Sequence, residues 1–173
     1  MKPSFTDAFV NQIKSALCTL AQCISSCPET EWNQPHGDYP FSQVVFHTLF
    51  FTDFYLQRDE SSFKDQAFHR ENKVFFKDYE ELQEKIPVNL YGRRQCEKYL
   101  KFCIDKCEAT LQADDPQTLL GPSGFSFKPF TRAELYIYLI RHIQHHAAQL
   151  GLRLQRITGN ELQWISSGWK ELN

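Results

Sequence analysis

TRAELYIYLIRHIQHHAAQLGLRLQRITG, residues 131–159, decides the fold of this chain. Thr131 followed three residues later by Glu134 is a capping box, the signature of a helix start. Leu135, Leu139, Ile143, Leu150 and Ile157 then recur with the period of one helix face, and the segment ends near Gly159. A helix of this length with one apolar stripe has to bury that stripe against other helices.

Three more long helices are predicted upstream. The first covers about Ser4 to Cys27, where Phe5, Phe9, Ile13, Ala16, Leu17, Leu20 and Ile24 recur every three or four residues and Pro28 marks the stop. The second covers about Phe41 to Arg58, with Ser42 or a neighbour as its cap. It holds Phe41, Phe46, Phe50, Phe51, Phe54 and Tyr55, but its length and the spacing Val44, His47, Phe51, Phe54 favour a buried helix over a strand. The third covers about Gly92 to Gln112, with Cys96, Tyr99, Leu100, Cys103, Ile104, Cys107 and Leu111 as its stripe. Residues 59–90 read as a loop with one shorter helix, about Asn72 to Glu84, and 114–130 as a Pro- and Gly-containing loop. The tail around Trp164 to Trp169 is expected to pack back on the helices. The expected architecture is all-α: a four-helix bundle forming one domain over 1–173, with a long loop and short-helix connection between the second and third long helices.

Composition narrows the function. Of 173 residues, 42% are hydrophobic and 23% charged, the balance of a globular domain, and only 7 are Gly, against a turn-rich β fold. The formal net charge of −2 without a basic tail gives no footprint for nucleic acid. No apolar run has membrane-spanning length, and the N-terminal segment lacks a signal-peptide core, so a cytoplasmic protein is expected. Six cysteines without a Cys-x-x-Cys pair are then expected as free thiols, core or half-exposed, rather than disulfides or a zinc site.

The histidines carry the chemistry. On a helix, His146 lies about 40° from His142, both on or beside the core stripe, while His145 falls at about −60°, on the margin. Gln149 falls at about −20°, two turns beyond His142. His47 sits amid Val44, Phe51 and Phe54 on the inward face of the second helix, where an imidazole requires a hydrogen-bond partner or a metal. Three imidazoles leave coordination positions open, the catalytic rather than the structural pattern. His36, in a Pro/Gly loop, and His69, in a polar stretch, are rivals for the third place but are expected to face solvent. Asp53 is expected to face away from His47. Tyr136 and Tyr138 are merely near, and Phe50, Phe51 and Phe54 are expected in the core rather than as a substrate wall.

Two stretches resemble the DinB/YfiT-like superfamily of metal-binding four-helix bundles. One is Trp32 followed by Phe41-Ser-Gln-Val-Val-Phe-His47; the other is His142-Ile-Gln-His-His146-Ala-Ala-Gln149-Leu. The resemblance implies a divalent metal, zinc or nickel, on His47, His142 and His146. It also implies a homodimer, and in some members transfer of a low-molecular-weight thiol to an electrophile, or hydrolysis. Ala147 and Ala148 stand where the family commonly has Arg-Gly. The alternative is a non-catalytic bundle or interaction module whose histidines are structural or vestigial.

Overall fold

The computed structural model describes residues 5–35 and 39–168. These contain α1 (Phe5–Ser26), α2 (Phe41–Tyr55), α3 (Ala67–Glu71), α4 (Lys73–Phe76), α5 (Arg93–Gln112), α6 (Pro116–Leu120) and α7 (Arg132–Thr158). There is no strand among the described residues, only an isolated bridge between Pro122 and Thr131. No helix among them is long and apolar enough to cross a membrane.

Each of α1 and α2 packs against both α5 and α7. The four long helices thus surround one core, with α1 across from α2. Ile13, Leu17, Leu20 and Ile24 enter it from α1, and Val45, Phe46, Leu49 and Phe50 from α2. Cys96, Tyr99, Cys103, Cys107 and Leu111 enter from α5; Leu135, Leu139, Ile143, Ala147, Leu150 and Leu154 enter from α7. The α7 spacings of three and four keep one face inward over the whole helix. All six cysteines are free and buried, on the core side of the expectation.

Both ends of α7 form as local chemistry dictates. The Thr131 hydroxyl accepts from the Glu134 backbone N–H at 3.2 Å. Gly159 closes the helix at φ 75°, in the left-handed region that glycine enters without a Cβ penalty. Thr131→Ala is expected to cost about 1 kcal/mol. The check is the urea midpoint, which should fall with an unchanged slope; an unmoved midpoint would show that the cap is dispensable.

The short elements depart from expectation. α2 begins behind Pro40, with no side-chain cap, and stops at Tyr55 rather than Arg58. The single helix expected at about 72–84 is instead α4 and a 3-10 turn at Glu80–Leu82, with α3 ahead of them. Lys77 and Tyr79 lie between them at φ 49° and 55°, a left-handed backbone that breaks helical continuation. The 114–130 loop contains α6, whose N-cap Asp115 accepts from the Thr118 N–H at 2.7 Å. In the tail, Ser15 Oγ donates to the Ile165 carbonyl at 2.8 Å and Gly168 N–H to Asn11 O at 3.0 Å, so the chain does return onto α1. Trp164 nevertheless stays exposed, and Trp169 lies outside the described residues.

Candidate metal centre

His47 leaves α2 towards α7, and His142 and His146 leave α7 one turn apart towards α2. Each of the three offers a ligand atom, and all these atoms lie within 4.8 Å of one another. Ring centroids are 5.3 Å apart for His47–His142, 4.8 Å for His47–His146 and 4.7 Å for His142–His146. All three side chains are half-buried, because Ile143 and Ala147 take the centre of the inward stripe and leave 142 and 146 at its edge. His145 is exposed, as its helical angle predicts. Phe51 closes one side edge-on, its centroid 4.8 Å from His47 and 5.8 Å from His142.

Two of the three imidazoles have a side-chain oxygen beside Nδ1. His47 Nδ1 lies 2.7 Å from Glu81 Oε2, so its N–H donates to that carboxylate and leaves Nε2 free. His146 Nδ1 lies 2.9 Å from Gln149 Oε1, which likewise leaves its Nε2 free. The Nε2 atoms of His47 and His142 are 3.4 Å apart. Two nitrogens bound to one tetrahedral cation at about 2.0–2.1 Å stand about 3.3–3.4 Å apart, so this pair already has the spacing of a coordination edge. His142 Nδ1 is buried without a partner. The donor set fits a divalent cation of intermediate softness.

Electrostatics keep the two α7 rings neutral. Burial, then the neighbouring His146 and His47, push His142 down to about 3. Burial, then His47, push His146 down to about 4 against the opposing Gln149 hydrogen bond. A neutral imidazole is the form that ligates metal. The metal-free fold should therefore carry an acid penalty. Between the unfolded value near 6.5 and these depressed values, the unfolded chain holds more protons, so stability rises with pH. The urea midpoint of the metal-free protein is expected to fall as pH drops from about 6.5 towards about 4. His142→Gln should flatten that slope; an equal slope in both proteins would contradict these assignments.

No family model matches the chain, and neither a curated protein nor a solved structure does. The case for the site therefore rests on its geometry and its motifs.

A cleft of about 390 Å³ opens beside the cluster, lined in part by Tyr39, Val44, His47, Lys85, His146 and Gln149. A second depression is lined by Tyr138, Arg141, His142, Gln144 and His145. His47 and His146 line the first and His142 the second, so the cluster is reachable from outside.

His69, expected to face solvent, is instead fully buried and far from the other three in role. Its Nε2 donates to Asp53 Oδ2 at 2.7 Å and its Nδ1 accepts from the Tyr79 hydroxyl at 3.1 Å. Asp53 does face away from His47 as expected, but into this second polar cluster. It also accepts from Tyr99 Oη at 2.7 Å, from Gln66 Nε2 at 3.1 Å and from Lys106 Nζ. Burial would raise the Asp53 carboxyl, but the His69 hydrogen bond and the Lys106 charge outweigh it and hold the group low. Every polar end is satisfied, and the cluster ties α2 and α5 to α3. Tyr136 lies in another such cluster, bonded to Arg132 and Asp114, remote from the histidines in its contacts. His36 lies outside the described residues.

Glu81 is the site residue that sequence reasoning missed. It sits 34 positions from His47 in a charged stretch with no periodicity, and only the turn after α4 brings it there.

Proposed function

We propose that the chain is a DinB/YfiT-like bundle in which His47, His142 and His146 hold a divalent cation, zinc or nickel. The reaction we propose is transfer of a low-molecular-weight thiol to a small electrophile, or a related hydrolysis. The observation that carries the reading is the convergence of three imidazoles from two helices, one pair with Nε2 atoms 3.4 Å apart across 95 residues. Four long helices in the expected order, and both histidine motifs on the expected helices, support it.

A divalent cation held there supplies Lewis acidity, lowering the pKa of a bound thiol or water so that a nucleophile exists at neutral pH. The chain's residues supply the rest. Glu81 and Gln149 orient two of the imidazoles, Phe51 shields one side, and the adjacent cleft accommodates a small molecule. Ala147, where the family commonly has arginine, is fully buried against α1, and Cys23 Sγ donates to its carbonyl at 3.5 Å. A guanidinium has no room there, so anion binding from that position is not part of the proposal. The homodimer and the cytoplasmic location rest on the resemblance and on composition; light scattering of the purified protein tests the first.

The test is consumption of a small thiol in the presence of an alkyl or aryl halide by zinc- or nickel-loaded protein. Activity that needs the metal and disappears in His142→Ala is the expected result. One observation favours a second, non-catalytic reading: 3.4 Å is also within reach of an N–H···N hydrogen bond, which would close the His47–His142 pair without a cation. Protein that takes up neither zinc nor nickel would favour that reading.

A further inference from the structure

We infer that Glu81 is a positioning residue for the histidine cluster, fixing His47 as the Nδ1–H tautomer so that its Nε2 lone pair faces His142 and His146. The inference rests on the metal reading above and adds the part of the chain that prepares the site. Histidine presents one lone pair at a time, and which nitrogen carries it follows from the hydrogen bond made by the other. In this fold the acceptor is a carboxylate 2.7 Å from Nδ1, and its side chain is only 4% exposed. A carboxylate acceptor also raises the basicity of the far nitrogen, which strengthens it as a ligand.

The surrounding turn is built to hold this carboxylate in place. Lys77 and Tyr79, at φ 49° and 55°, reverse the chain after α4. Glu80 turns the other way and anchors the segment: its carboxylate accepts from Val88 N at 3.1 Å, Asn89 N at 2.8 Å and Tyr91 Oη at 3.4 Å. Gln83 Nε2 donates to Asp78 O at 2.8 Å and Lys85 pairs with Asp78 Oδ2 at 2.8 Å, which closes the turn around Glu81. Two adjacent carboxylates thus divide the work, Glu80 securing the turn and Glu81 reaching the histidine. The segment 77–85, expected mostly within a short helix, becomes part of the site.

The test pairs a tautomer measurement with zinc affinity. Nitrogen-15 NMR of metal-free protein should show His47 as the Nδ1–H form in the wild type and a mixture in Glu81→Ala. Zinc affinity, measured against a competing chelator, should fall about 10- to 100-fold in Glu81→Ala and less in Glu81→Gln, whose amide oxygen still accepts the hydrogen bond. Glu84→Ala removes an exposed carboxylate of the same segment and should leave the tautomer as it is. An unchanged His47 tautomer in Glu81→Ala overturns the inference, as does unchanged zinc affinity. Wild-type protein that binds no zinc overturns the metal reading instead, and the tautomer shift then decides the part played by Glu81 alone. Should Glu81→Ala fail to fold, Glu81→Gln and Glu81→Asp carry the same comparison.

Discussion

Asp53→Ala is expected to destabilise the protein by about 3–5 kcal/mol, the cost of breaking a buried ion pair from one side. The Asp53 side chain is completely buried, and its removal leaves Lys106, His69 and Tyr99 without their shared acceptor. Lys106 loses most, because its ammonium is held in the interior with only 12% of the side chain exposed and keeps only uncharged acceptors, the Asp53 carbonyl and Gln66 Oε1. Replacing both charges, as Asp53→Leu with Lys106→Met, should recover part of the loss, since an apolar pair has no charge to strand. Urea unfolding of the three proteins checks this. A single-mutant loss below about 1 kcal/mol, the range of a surface pair, would contradict the assignment of Asp53 as the keystone between α2, α3 and α5.

The second large effect is on metal. His47→Ala, His142→Ala and His146→Ala should each lower zinc affinity by more than the about 10- to 100-fold that loss of an outer-shell partner costs. His145→Ala should leave it unchanged, although His145 is the sequence neighbour of His146 and their rings lie 5.0 Å apart. Equal effects at 145 and 146 would mean that the cluster works as a loose surface patch rather than a directed site.

Local chemistry made some elements readable and hid others. Both ends of α7 follow from residues at or near those ends, Thr131 with Glu134 and then Gly159, so its extent was legible. The split of the histidines was legible too, because helical angle alone separates His142 and His146 from His145. His69 was not, since its neighbours Arg70 and Glu71 are exposed and look like solvated surface. Its burial depends on an acceptor 16 residues away, on α2. Glu81 was hidden for the same reason: its position depends on left-handed backbone at Lys77 and Tyr79, residue types that carry no signal for it. α3 and α4 are too short for periodicity to register.

The central claim is that His47, His142 and His146 hold one divalent cation. X-ray absorption at the zinc edge, on protein dialysed against zinc and freed of excess, tests it most directly. The account predicts one zinc per chain with three imidazole nitrogens at about 2.0–2.1 Å and a remaining position filled by a light atom. Protein that retains no zinc, or zinc bound by cysteine sulfur at about 2.3 Å, would contradict it.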